Sequence, residues 1–285
     1  MMTKPAKQLS ISAEELGPLV RRMLRDDDAV IVDMTVEPMG WLNIMAGELH
    51  RARGTATTGI GGERRTDWSM VLKVSRAPED WPDSRDPEDW SFWKRELEVY
   101  RSGITGHLPG GLQAPTFYGA VELADDSLVL ALEEVAPTAR EAWSLARYSD
   151  AARVMGRFGA GYASGRPMPE APGLARHWIH SWTEQLVGVW DGLTPELWSQ
   201  PLAAAAVPDR EVIGRVADRH RELLAILDTL PRTFAHGDAT PGNLLVRPLP
   251  DGGEQFVAVD WMLAGPAAVG EEAAGMVGAS LWQFL

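Results

Sequence analysis

The sequence predicts an α+β protein, with a strand-rich half that forms an antiparallel sheet followed by a mainly helical half. Three observations carry this. Short apolar and β-branched runs, separated by turn residues, fill the first 135 residues. The long helical periodicities come later, at residues 139–163, 174–190 and 210–230. The character changes at Glu133-Glu134-Val135, which divides the chain into residues 1–135 and 136–285 with a linker near 134–137. The chain has 285 residues, 45% of them hydrophobic, enough for a sizeable core and for one large domain or two lobes.

Each element has its own signal. Residues 11–25 read as an amphipathic helix, with Ser12 as N-cap and Glu15 completing a capping box. Residues 30–36, 49–58 and 69–74 read as strands, and the turn before the third spans residues 59–67. Asp86-Pro87 predicts a helix start, because Asp caps well and Pro suits the first helical position. Trp90, Trp93, Leu97 and Tyr100 would form the buried stripe of that helix, and Gly103 would end it. Residues 116–123 and 128–132 predict two further strands around an Asp125-Asp126 turn.

Composition excludes several classes. There is no cysteine, so disulfides and thiolate metal sites are ruled out. A net charge of −13 argues against nonspecific binding to nucleic acid or an anionic membrane. No apolar run reaches the roughly 20 residues that span a bilayer, and the first ten residues lack a signal-peptide core. These features predict a soluble, cytoplasmic protein.

The most informative stretch is His236-Gly237-Asp238-Ala239-Thr240-Pro241-Gly242-Asn243. It contains Asp-x-x-x-x-Asn, the spacing of a kinase catalytic loop, on turn-forming residues. A strand follows at residues 244–246, then Asp251-Gly252 as a hairpin turn, then a returning strand at 256–259 that ends on Asp260. A two-residue turn there would set Pro250 opposite Gly253 and Asn243 opposite Asp260. Directly opposed Cβ atoms lie roughly 4.5–5.5 Å apart, close enough to share one cation. The chemistry needs this grouping. Carboxylates repel a phosphoryl group unless Mg²⁺, a cation that takes hard oxygen ligands, stands between them. Asn243 and Asp260 would hold it, leaving Asp238 to take a proton from a substrate hydroxyl. Singly, the three residues could be a cap, a turn and a strand end. The joint pattern is what points to chemistry.

His236-Gly237-Asp238 through Asn243, together with Ala258-Val259-Asp260-Trp261, resembles the two signature motifs of the aminoglycoside phosphotransferase/choline kinase-like family. Leu72-Lys73-Val74, the stretch from Trp93 to Glu96, the stretch from Leu132 to Val135 and residues 265–274 resemble that family in the same order. The resemblance implies a protein-kinase-like two-lobe fold. It implies transfer of the ATP γ-phosphate to a hydroxyl of a small molecule such as an aminoglycoside-like antibiotic, amino alcohol or sugar. It makes Asp238 the catalytic base, and Asn243 and Asp260 the Mg²⁺ ligands. Lys73 would meet the ATP phosphates with Glu96 as its ion-pair partner, and Glu133, Glu134 and Val135 would line the adenine site. On position alone, Lys73 could equally be an edge-strand lysine, and Glu96 a solvated helix charge. No Gly-x-Gly-x-x-Gly is present, and residues 40–47 are the local candidate for a phosphate-covering loop. Glu271-Glu272 stands where relatives often carry Asp, and Glu272 is read as fixing local structure. Relatives commonly continue past the position of Leu285, and a catalytically degraded nucleotide-binding or regulatory protein is the alternative reading. His177 and His180 are read as the margin of a Trp-rich packing helix rather than a metal site.

Overall fold

Capping fixes the first element. In the computed structural model, which describes residues 9–43, 47–59, 61–78, 82–138, 143–176, 178–192, 194–201 and 210–282, helix α1 (Ala13–Leu24) opens on Ser12. The Ser12 Oγ accepts from the Glu15 N–H, and the Glu15 carboxylate accepts from the Ser12 N–H at 2.7 Å. This is the expected capping box. The helix buries Leu16, Leu19 and Val20.

Those residues cover one face of a five-stranded antiparallel sheet in the order β1-β2-β3-β5-β4. Its strands are β1 (Val30–Asn43), β2 (Gly47–Thr58), β3 (Arg64–Ser75), β4 (Phe117–Glu122) and β5 (Leu128–Glu133). β3 begins earlier than residue 69, because Arg64 to Trp68 pair with β2. β5 is buried on both faces, and its residues alternate between two cores. Val129 and Ala131 join α1 together with Trp68, Met70, Leu72 and Val74 of β3. Leu128, Leu130 and Leu132 turn the other way, toward the remainder of the chain. Lys73 pairs with Leu130 across the β3–β5 ladder, so it shares that second face.

The second core contains Leu97, Val99 and Tyr100 of α2 (Arg95–Arg101) and Val154, Met155 and Phe158 of α3 (Leu145–Ala163). Phe234 of β6 (Arg232–Ala235), Leu244 of β7 (Leu244–Pro248), Phe256 of β8 (Glu254–Ala258) and Trp261 complete it. Further along lie α4 (Trp178–Asp191), α5 (Pro195–Trp198), α6 (Arg210–Asp218) and α7 (His220–Asp228). The chain then runs through β6, β7, β8 and β9 (Gly265–Ala268) to α8 (Glu271–Trp282). This is the α+β arrangement the sequence predicts. No described helix is long and apolar enough to cross a membrane.

Three further expectations are corrected. The helix does not start at Asp86-Pro87 but at Arg95. The Asp86 and Asp89 side chains accept from the N–H groups two residues on, at Glu88 and Ser91, which makes tight turns instead of a helical start. The 210–230 helix is two helices, closed at Arg219 by an i→i−3 bond to the Val216 carbonyl. The β7–β8 hairpin is shifted by one residue: Leu244 faces Ala258, and the Val259 N–H donates to the Asn243 carbonyl at 2.9 Å. Asn243 is therefore opposite Val259, not Asp260. The cause is Pro250. Its fixed φ suits the second position of a turn from Leu249 to Gly252, closed by a Gly252 N–H bond to the Leu249 carbonyl at 3.0 Å. Gly252 then takes φ +83° as the extra loop residue.

Candidate active site

β6 pairs antiparallel with β9 and delivers the chain directly into His236-Gly237-Asp238. Gly237 has φ +85°, and a Cβ there would lie 2.4 Å from the Leu263 carbonyl oxygen. Only glycine allows the loop to lie against residue 263. His236 is wholly buried, and its two nitrogens have different partners. Nε2 lies 2.9 Å from the Val259 carbonyl, which can only accept, and the Asp238 N–H donates to Nδ1 at 3.2 Å. The ring is thus neutral and protonated on Nε2, in keeping with burial that lowers its pKa. It locks the Asp238 loop to the strand end that precedes Asp260.

Glu272, on α8, grips the same loop from below. Its carboxylate accepts from the N–H groups of His236 at 2.6 Å, Gly237 at 3.2 Å and Ala239 at 3.2 Å. The local-structure reading of Glu272 agrees with this geometry.

Asp238 and Asn243 are joined directly. The Asn243 amide nitrogen donates to the Asp238 carboxylate at 2.7 Å and to the Asp238 carbonyl at 3.0 Å. The Asn243 amide oxygen therefore points away from Asp238. Burial, followed by the nearby Asp260 charge, pushes the Asp238 carboxyl up to about 7.

A second cluster forms at the second face of the sheet. Lys73 Nζ lies 2.6 Å from the Glu96 carboxylate and 2.8 Å from that of Asp260. Burial works against the ammonium, but Asp260 and Glu96 outweigh it and hold the lysine pKa above its ordinary value. Glu96 is pushed up by burial, and the Lys73 charge holds Asp260 down against its own burial. Glu96 also accepts the Trp261 N–H at 3.3 Å. Asp260 itself adopts φ 63°, a left-handed conformation uncommon for a side-chain-bearing residue. Lys73 and Glu96 thus meet Asp260 from 187 and 164 positions away in sequence, as they must for one cluster. The edge-strand and solvated-helix alternatives for the two residues do not describe this arrangement.

Glu133 and Glu134 have other partners. The Glu133 N–H donates to the Thr116 carbonyl at 2.8 Å, and its side chain meets Thr116 and Arg247. The Glu134 carboxylate meets Arg51 and Ser69. Their side chains tie strands together. A cavity of about 840 Å³ adjoins Glu133 and Glu134 and is otherwise lined by residues such as Trp68, Ser69 and Asp67. Lys73, Glu96, Asp238, Asn243 and Asp260 do not line it.

Other readings resolve more simply. Of the 40–47 loop, residues 44–46 lie outside the described residues, as does His177. His180 lies 3.1 Å from Asp228, and Glu184 pairs with His220 and Arg221. Arg95 is wholly buried at the start of α2, where a sequence alone suggests an exposed charge. The available signal was an arginine three residues from Phe92 and four from Val99, on the buried side of its helix.

The sequence model of the phosphotransferase enzyme family matches residues 60–284. No curated protein sequence matches the chain. Among solved structures, the GDP complex of wild-type aminoglycoside 2'-phosphotransferase-IIIa is similar at 12% identity, covering 93% of this chain and 78% of that one, with a TM-score of 0.51. Aminoglycoside phosphotransferase APH(3'')-Id from Streptomyces rimosus, in complex with ADP and streptomycin, is similar at 16% identity over 95% of this chain and 85% of that one, with a TM-score of 0.50. At these identities the likeness shows the kinase-like fold.

Proposed function

The chain belongs to the phosphotransferase enzyme family, and we propose that it transfers the γ-phosphate of ATP to a hydroxyl of a small molecule in the cytoplasm. The two lobes would divide at about residue 135, with the nucleotide held between them. The observation that carries this reading is that His236 and the Val259–Asn243 backbone bond tie the Asp238–Asn243 pair to the strand end carrying Asp260, which shares Lys73 with Glu96. Nucleotide complexes of similar folds support it.

The donor set suits a magnesium ion. Asn243 turns its amide nitrogen to Asp238 and so offers its oxygen elsewhere, and Asp260 is kept anionic by Lys73. Among the described residues no three His, Cys, Asp or Glu side chains form a self-sufficient cage. Asn243 and Asp260 would hold Mg²⁺, which would supply positive charge to offset that of the phosphates. Lys73, pinned by Glu96, would place a fixed positive charge against the phosphates. The raised pKa of Asp238 makes its ionised carboxylate a better proton acceptor than an ordinary aspartate. Asp238 would orient the acceptor hydroxyl and take its proton as the oxygen attacks phosphorus and ADP leaves.

The degraded, non-catalytic alternative loses one of its motives, since Glu272 is engaged in holding the catalytic loop. The test is nucleotide consumption with Mg-ATP, and in parallel Mg-GTP, over a panel of aminoglycosides, macrolides, amino alcohols and sugars. Acceptor-dependent ADP release is expected, with Asp238→Asn reducing it about 10²–10⁴-fold while calorimetric Mg-ATP binding persists. Full activity of that variant would overturn the assignment. Mg-ATP binding with no turnover on any acceptor would favour the alternative.

A further inference from the structure

Arg95 opens α2 and is wholly buried, at 0% exposure. Among the described residues, its hydrogen bonds all go to backbone carbonyls. Nε donates to Gly173, Nη1 to Trp90 at 2.8 Å, and Nη2 to Asp89 at 2.6 Å and Pro87 at 3.4 Å. Burial pushes the guanidinium down to about 10, so it remains charged at neutral pH. A planar fork of five donors can satisfy several carbonyls at fixed angles, which a lysine cannot do.

These bonds have two structural consequences. The carbonyls of residues 87, 89 and 90 are taken up by a side chain, so the segment folds over the start of α2 instead of extending it. The bond to Gly173 reaches outside the local segment. Two residues on, the Ala175 N–H donates to the Ala264 carbonyl at 2.9 Å. Gly265 lies so close that a Cβ there would be 2.0 Å from the Ala175 carbonyl oxygen. Segment 173–175 is therefore wedged between Arg95 and the stretch that follows Asp260. The next residue, Glu96, reaches that same stretch directly through the Trp261 N–H, and it holds Lys73. Helix α2 is thus fastened to residues 260–265 at two points, one through Glu96 and one through Arg95 and residues 173–175.

We propose that Arg95 is a positioning residue. It fixes the placement of α2 so that Glu96 holds Lys73, and through Gly173 and Ala175 it couples α2 to the segment carrying Asp260. Its bearing on catalysis rests on the phosphotransferase reading above, whereas its mechanical part does not. Hydrogen–deuterium exchange on the full chain separates the two. In Arg95→Met, amide protection is expected to fall at Trp261 and Ala175 while β4–β5 remains protected. Unchanged protection at those two amides would overturn the proposal. If Arg95→Met does not fold, Arg95→Lys, which keeps one cation but fewer donors, is read the same way.

In the activity arm, Arg95→Met should cost about 10²-fold in kcat over nucleotide KM, with acceptor KM unchanged. Its loss should not multiply with that of Glu96→Gln, because both act through the same helix. Added guanidinium should partly restore Arg95→Ala. Multiplying losses, or equal effects on both substrates, would mean a merely structural arginine. A wild-type protein inactive on every acceptor would instead refute the phosphotransferase reading and leave the exchange result to decide the positioning role.

Discussion

Glu15 and Glu272 both collect backbone N–H groups, but they do so under opposite conditions. Glu15 accepts from Ser12, three residues away, at the exposed start of α1. Glu272 accepts from His236, Gly237 and Ala239, between 33 and 36 residues away, beneath the Asp238 loop. The first pairing forms with the helix itself. The second exists only once β6, β9 and α8 have packed. Water can replace a carboxylate at an exposed helix start, but it reaches a part-buried loop poorly. The same bond chemistry should therefore matter more at Glu272 than at Glu15.

The largest expected effect is at Glu272. Glu272→Ala leaves three loop N–H groups without their acceptor and should cost about 2–3 kcal/mol in urea denaturation. Activity should fall further than stability, because Asp238 loses its placement. Glu272→Gln keeps one acceptor oxygen and should lie between that variant and the wild type. A loss no greater than that of a surface substitution would break the comparison.

The hairpin tip is an intermediate case, local in sequence but spanning two strands. Gly252→Ala places a Cβ on a residue at φ +83° with open space around it. The cost should be about 1–2 kcal/mol from the backbone alone, read by thermal unfolding, with catalysis preserved. Lost activity would show that the tip sets the position of Asn243.

The smallest effect belongs to Ser12→Ala, about 0.5–1 kcal/mol. It should also change the acid limb of the stability curve. The backbone and side-chain bonds of Ser12 hold the Glu15 carboxyl below its ordinary value. Its contribution is therefore complete above the unfolded pKa of about 4.3 and fades as pH falls through the lower folded value. Denaturation of the two proteins from pH 6 to 2 should show the difference shrinking at the acid end.

The same contrast explains which features were legible. The capping box, the five strands and the Asp238-to-Asn243 loop rest on neighbouring residues, and each was readable from them. The hairpin register was misread by one residue because Pro250 and Gly252 together favour a longer loop than Asp251-Gly252 alone. The start of α2 differs from the Asp86-Pro87 signal because the Asp86 and Asp89 side chains close tight turns on Glu88 and Ser91, and Arg95 then takes the Trp90 and Asp89 carbonyls from several residues away, which a capping rule does not see. Lys73 and Glu96 were ambiguous in isolation for a related reason. A lysine in an apolar strand is explained only by what it meets.

The sequence by itself determined the order of elements, the faces they bury and the residue types available for phosphoryl chemistry. Periodicity, turns and caps act over a few residues, so they are written locally. Tertiary structure alone decided that Lys73 meets Asp260, that Glu272 rather than a solvent shell holds the Asp238 loop, and that Arg95 fastens α2 to the 260–265 segment. Those contacts join groups far apart in the chain. Burial gives them their strength, because a charge removed from water must find its partner inside the fold.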